Sequence, residues 1–206
     1  MTPKWLEWAR SLQALAQNGL MYAHNEFDVE RYKEIMDISA EIMSLHSSVE
    51  KEIIMDLFSD QSGYVTPRVD VRGIVFREGR LLLVREKSDG RWTLPGGWAD
   101  PNEAPSEAVE REVFEESGFV VKARKLAALY DRDRQGHYPP HPFHVYKIFF
   151  LCEITGGGEQ LSIETDGIGF FSEEEIPELS PPRTTLKQLK NFFSRQRNQD
   201  WETEFD

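Results

Sequence analysis

Three carboxylates, Glu112, Glu115 and Glu116, raise the first chemical question. Their spacing of i, i+3 and i+4 puts them on one face of any helix they occupy. Neighbours at that spacing stand about 6 Å apart at their Cβ atoms, so three ionised side chains repel one another and weaken a bare helix. A hard divalent cation reverses the sign, because Mg²⁺ and Mn²⁺ take oxygen ligands and commonly combine a few carboxylates with substrate phosphates. Arg111 stands beside the acids and can hold Glu103, eight residues earlier, in a charge-assisted pair. Val109 and Val113 fall on the neighbouring side, where they would seat the helix on a sheet. Local signals agree with a helix. Leu94-Pro95-Gly96-Gly97 makes a turn ahead of it, Ser106 offers an N-cap, and Gly118 ends the run after Ser117. An acidic helix is more often plain solvated surface, and what separates this one is a set of fixed gaps around it.

Those gaps resemble a known pattern. Gly97, five residues, Glu103, seven residues, Arg111-Glu112-Val113, one residue, Glu115-Glu116, one residue, Gly118-Phe119 is similar to the Nudix box at every defined position. The box covers 23 of the 206 residues. A looser resemblance spans most of the chain. The helical N-terminal region, the stretch Gly63 to Arg72, a Pro/His loop and the strand Phe143 to Lys147 resemble the Nudix subgroup with a helical N-terminal domain, which includes CDP-choline and ADP-ribose pyrophosphatases.

The resemblance implies an α+β protein, a Nudix α/β/α sandwich with a mixed sheet plus a small all-helical N-terminal domain. It implies hydrolysis of a nucleoside diphosphate linked to another group. Glu112, Glu115 and Glu116 would hold Mg²⁺ (or Mn²⁺), Gly97 would add its carbonyl oxygen, and Glu103 and Arg111 would orient loop and helix. In the family the general base is a box glutamate or an acid on a later loop. Glu164 and Asp166 lie in that later region, Gly167 stands where relatives often carry a second glutamate, and Glu164 is the candidate. The leading substrate expectation is CDP-choline, split into CMP and phosphocholine. A choline head group suits an aromatic cage, for which Trp98, Tyr130, Tyr138, Phe143 and Tyr146 are available. Arg72, Arg85, Arg132 and Arg134 could grip phosphates, and His141 lies in the same Pro/His loop. The alternatives are ADP-ribose or an RNA end, and, in another class, a ligand-sensing regulator. Regulators of this fold commonly lose box glutamates, which this chain keeps.

The elements that must position this chemistry fall into two groups. Residues 1–60 read as amphipathic helices: one over Pro3–Ala16 interrupted by Gly19, one capped by Asp28 and running to Leu45, and a short one over Val49–Phe58 capped by Ser47 or Ser48. They are expected to form a packing module that also makes a homodimer. His24 and His46 have no partner at ligand spacing and are given no role. Residues 61–67 read as a linker, 68–200 as the hydrolase domain and 201–206 as a tail. Strands are expected at Val69–Phe76, Leu81–Arg85, Trp92–Leu94, Phe119–Tyr130, His144–Cys152 and Ile168–Phe171. Gly156–Gly158 reads as a turn, Ser172–Pro177 as the start of a short helix, Leu186–Arg197 as a basic helix, and Asn198–Asp206 as frayed.

Composition narrows the setting. The net charge is −12, from 36 acids and 24 bases. Such a surface disfavours nonspecific binding to nucleic acid or anionic membrane, although a local basic groove would still admit RNA. A polyphosphate substrate would need a metal to approach. The single cysteine, Cys152, sits in an apolar run and excludes a disulfide framework. No basic-then-apolar leader and no run near the roughly 18 apolar residues of a membrane span are seen, so a soluble, cytoplasmic protein acting on a small nucleotide is expected.

Overall fold

A computed structural model of the chain describes residues 2–59, 61 and 63–206. It divides into two compact units, Met1–Pro67 with Pro140–His144, and Arg68–Pro139 with Val145–Asp206.

The first unit is helical. Helix α1 (Lys4–Tyr22), α2 (Glu26–Leu45) and α3 (Lys51–Ser59) enclose Leu6, Ala9 and Ala16, Met36, Ala40 and Met43, and Ile54 and Phe58. Gly19 does not interrupt α1. The ring of Tyr32 lies so close that a Cβ at position 19 would collide with it, so the glycine serves helix packing. Asn25, not Asp28, caps α2, its Oδ1 accepting the Asp28 amide at 2.8 Å. The third helix starts two residues later than expected. The expected linker is tied down in part, with Gln17 donating to the Gly63 carbonyl at 2.9 Å and the Val65 amide donating to Asn18 at 2.9 Å. Asp60 and Ser62, on the expected boundary, lie outside the described residues.

The second unit is a sheet with a helix on each face. The strands are β1 (Arg68–Arg77), β2 (Arg80–Glu86), β3 (Trp92–Thr93), β4 (Phe119–Asp131), β5 (Val145–Gly157), β6 (Thr165–Phe171) and β7 (Glu204–Phe205). Their order is β3-β2-β1-β5-β4-β7, with β6 also paired to β2. The sheet is mixed: β1 runs parallel to β5, and β2 and β4 are antiparallel to their neighbours β1 and β5. Helix α4 (Pro105–Ser117) packs Ala108, Val109 and Val113 on Val71, Val75 and Leu82. Helix α5 (Leu186–Asn198) packs Leu189, Phe192 and Phe193 on Ile74, Leu81 and Phe149. Alternation along β1 therefore assigns Val69, Val71, Gly73 and Val75 to the α4 face, and Asp70, Arg72 and Ile74 to the α5 face.

Several boundaries differ from expectation. Gly156 and Gly157 extend β5, paired with Val120 and Phe119, rather than forming a turn. The break in alternation at Lys122–Arg124 is a register shift between Ala123 and Lys125. The C-terminal segment is not frayed. β7 pairs with Ala128 and Leu129 of β4, and Trp201 packs on Phe76 with the Arg195 guanidinium 5.0 Å from its ring centre. Exposed polar sequence hid this, because the anchoring comes from one aromatic residue and from backbone pairing.

Candidate active site

Pro105 occupies the first turn of α4, and the Glu107 carboxylate accepts the Ala104 amide at 2.8 Å. The cap is thus Ala104 rather than Ser106, with Glu107 reaching back to take the orphan donor. Gly118, at φ 76°, closes the other end. Ahead of the helix, residues 94–99 lie along the free edge of β1. Val71 donates to the Gly97 carbonyl and Gly73 to the Pro95 carbonyl, both at 2.8 Å, and Ala99 donates to Val69 at 3.1 Å. Gly96 has φ 144°, and a Cβ there would strike the Val71 carbonyl, so only glycine fits. Its amide donates to Glu116 Oε2 at 2.8 Å. A Cβ on Gly97 would stand 2.7 Å from Glu112 Oε2, so that glycine leaves room for the carboxylate.

Arg111 gathers the acids. Its Nε and Nη2 donate to Glu103 at 3.0 and 2.7 Å, and its Nη1 donates to Glu112 at 2.8 Å and Glu115 at 3.0 Å. The arginine bond, helped by the Asp100 amide, holds the Glu103 carboxyl down at about 2. Burial pushes Glu112 up, against the opposing pull of Arg111. Burial raises Glu116 further, to about 8, although Arg72 and the Gly96 amide pull it back. Glu115 is the exposed member, its side chain 57% open. The three glutamates thus share a face but not an environment. A cavity of about 800 Å³ bounded by Phe76, Arg77, Leu151 and Gln196 is lined by none of these acids, so it is not where they act.

Comparison with known proteins agrees with this geometry. Residues 66–194 match the NUDIX domain family, and residues 3–58 match the family described as UDP-X-like, N-terminal oligomerisation domain. The chain belongs to the Nudix family. Over 203 residues it is 45% identical to YjhB of Bacillus subtilis, provisionally named an ADP-ribose pyrophosphatase, covering 98% of this chain and 97% of the relative. The crystal structure of an ADP-ribose pyrophosphatase from Streptococcus suis superposes with a TM-score of 0.61 at 38% identity, over 68% of this chain and all of that one. The crystal structure of a UDP-X diphosphatase superposes over 98% of both chains, with a TM-score of 0.63 and 26% identity. The protein is a Nudix hydrolase with an added N-terminal helical domain.

Nudix hydrolases generally need divalent metal ions, and the donor set of this box fits one. Glu112, Glu115 and Glu116 offer hard oxygens on one helix face, and the missing Cβ of Gly97 leaves a cradle beside Glu112. The Gly97 carbonyl already accepts one amide, and its second lone pair remains. Among the described residues no three His, Cys, Asp or Glu side chains converge closely enough to enclose an ion. The Arg111 guanidinium bridges Glu112 and Glu115 instead.

The other expected site residues of this Nudix domain are scattered. Trp98, 45% exposed, stands next to Gly97, its backbone bridged to Asp70. Tyr146, on β5, is partly exposed. Glu164 is exposed on a loop whose next residue, Thr165, donates its hydroxyl to the Glu116 carbonyl at 2.8 Å. Arg85 is exposed and pairs with Asp166 across β2 and β6 at 2.7 Å. Tyr130 is not a ligand platform. It is 3% exposed, packed on Phe149, with its hydroxyl near Asn191. Arg72 is also no surface cation, being 4% exposed and bound to Asp70 and to the Leu94 carbonyl. His141 belongs to the helical unit, where its carbonyl accepts from Arg10. Of the loop arginines, Arg132 is buried and donates to the Pro139 carbonyl at 2.9 Å. Sequence reasoning passed over Asp70 and Lys147, which meet at 2.7 Å as partners on adjacent strands. The signal was present, since a charged residue inside an apolar strand needs a buried partner.

Proposed function

We propose that this hydrolase cleaves the diphosphate bridge of a nucleoside diphosphate joined to another group, with ADP-ribose as its leading substrate. Water is added across the P–O–P linkage. The bridging P–O bond breaks, hydroxide joins one phosphorus, and the proton ends on the departing phosphate. Bound Mg²⁺ or Mn²⁺ would neutralise the diphosphate and acidify water. Glu112, Glu115 and Glu116 would hold that ion, with the Gly97 carbonyl as a further oxygen. Arg111 and Glu103 keep the loop and helix aligned, and Glu164 would take the proton from the attacking water. The observation that carries this reading is the Glu112 carboxylate set against Gly97, on the helix face it shares with Glu115 and Glu116.

ADP-ribose displaces CDP-choline as first choice for two reasons. Relatives of this chain are named for ADP-ribose. The loss of Tyr130 to the core also weakens the case for a choline cage. Purified protein should be assayed on ADP-ribose, CDP-choline, UDP-sugars, nucleoside triphosphates and capped RNA, with Mg²⁺ and with Mn²⁺. Turnover of ADP-ribose should lead by about tenfold in kcat/KM, a difference of about 1.4 kcal/mol. A lead for CDP-choline would restore the alternative. No turnover of any of them would remove the reading.

We also propose that the helical unit pairs two copies of the chain. Trp8, Leu15 and Tyr22 recur every seven residues on α1 and are all exposed. A seam of that kind suits a second copy of itself, and the N-terminal match to an oligomerisation domain supports it. Light scattering should give a dimer for the wild type and a monomer for Leu15→Glu. A wild-type monomer at micromolar concentration would end this part of the proposal.

A further inference from the structure

Asp70, Arg72 and Lys147 form a buried charge cluster on the α5 face of the sheet, opposite the acidic helix. Arg72 donates Nε and Nη2 to Asp70 at 2.9 and 2.8 Å, Lys147 donates to the same carboxylate at 2.7 Å, and Arg72 sends Nη1 to the Leu94 carbonyl at 3.0 Å. None of the three residues is more than 5% exposed. One carboxylate and one ammonium would already make a closed pair. A second buried cation adds a desolvation cost, offset in part by the more distant charges of Glu116 and Glu86. What the arginine gains is the backbone of the turn before the box.

That turn is held at each residue. Thr184 Oγ1 accepts the Leu94 amide at 3.2 Å, Arg72 holds the Leu94 carbonyl, Gly73 the Pro95 carbonyl and Val71 the Gly97 carbonyl, while the Gly96 amide is aimed at Glu116. Thr93 adds a hydroxyl to the Leu94 carbonyl at 3.2 Å. We infer that Arg72 is a positioning residue of the hydrolase: locked by Asp70 and Lys147, it fixes the Leu94–Gly97 turn so that the Gly96 amide sets the orientation of Glu116. A substrate-gripping Arg72 would need free donors facing solvent, whereas its Nε, Nη1 and Nη2 are all engaged inside the protein. The inference rests on the placing of Glu116 in the metal-holding face.

Arg72→Met tests it in the full-length protein. Asp70 keeps Lys147 as partner in that variant, so the fold should survive. Loss of a supporting bond of this kind costs about 10–100-fold. We expect kcat on ADP-ribose to fall by that factor while KM stays within about threefold, since an interaction acting only on the reaction step leaves ground-state binding alone. Arg72→Lys should restore little, because an ammonium cannot span both acceptors. A readout independent of turnover is the Gly96 amide in ¹H–¹⁵N spectra of metal-free protein, which should shift and exchange faster in Arg72→Met. Thr184→Val loosens the same turn from its other side without touching a charge, and should move the same amide even if Arg72→Met folds poorly. Wild-type kcat together with an unmoved Gly96 amide overturns the inference, as does a raised KM at unchanged kcat. Glu112→Gln run alongside separates the failures. If it is inactive while Arg72→Met is fully active, only this inference falls. If it too is fully active, the metal-face reading falls with it.

Discussion

On the α4 side of the sheet, Arg111 bridges Glu112 and Glu115, the Arg72 charge reaches Glu112 and Glu116 from beneath, and Glu115 stands largely in water. On the α5 side, Asp70 faces two cations, Arg72 and Lys147, and all three are closed off from solvent. The two clusters carry opposite imbalances. The acidic one has carboxylates to spare and a partly exposed guanidinium, which suits the proposed replacement of that guanidinium by a metal ion. The buried one has no exchangeable partner. Burial pushes its carboxyl up, yet the Arg72 and Lys147 charges outweigh that and hold Asp70 below the usual range. Cation exchange needs the first arrangement, and geometric anchoring needs the second.

Mutation should separate the two. The largest effect is expected from Glu112→Gln. Removing a proposed metal ligand, worth several kcal/mol of charge stabilisation, should lower kcat by about 10³-fold or more, while metal-free melting should be little changed. Equal turnover in the mutant would erase the contrast from the acidic side. Asp70→Asn should do the reverse, leaving two buried cations without their carboxylate. Breaking a buried pair costs about 3–5 kcal/mol. In a chain of this size that lowers the melting temperature by roughly 10 °C. Melting unchanged within error would show that this cluster is not a fixed anchor. Arg111→Met comes third. Its bonds to Glu103 and Glu112 are part-buried and its bond to Glu115 is exposed, so only a small loss of stability is expected. Turnover, however, should fall about 10–100-fold, as for other groups that orient metal ligands. Added Mg²⁺ should recover the small loss in melting temperature.

The acidic side was legible in the sequence because helical spacing puts its residues next to one another, and the turn and stop glycines mark its ends. Residues such as Glu103 and Arg111 met as expected for the same reason, being joined through one short loop and one helix. The anchoring side was not legible. Asp70 and Lys147 are 77 positions apart and meet only because β1 and β5 are parallel neighbours, a pairing no local pattern encodes. Arg72 and Tyr130 read as surface candidates because residue type alone does not say which face of a strand turns inward. Gly19 read as a helix breaker because its partner, Tyr32, lies on another helix.

Acid should act on the two sides in opposite senses, and this is the finest of the tests. His137 lies at the rim of the buried cluster, with Nδ1 at 3.1 Å from the Pro181 carbonyl and Nε2 at 3.2 Å from the Gln188 amide. Burial lowers it to about 3, helped by the facing charges of Lys147 and Arg132 and opposed by Asp70. A histidine depressed in the folded state gives stability that is present above its unfolded value, near 6.5, and is lost as pH falls towards 3. Glu116, raised to about 8, has the opposite sign: its contribution is complete below about 4.5 and is lost as pH rises through 8. Lys147, lowered by burial to about 7, adds no slope below that pH. Between pH 6.5 and 5 the slopes of His137 and Glu116, each about 1.4 kcal/mol per pH unit, oppose each other in metal-free protein. Relative to wild type, and as pH falls over that interval, His137→Gln should therefore gain about 2 kcal/mol of stability, and Glu116→Gln should lose about as much. Unfolding curves in a chelator at pH 6.5 and 5 measure both. Parallel behaviour of the two variants would mean that the sides do not differ in how they meet a proton.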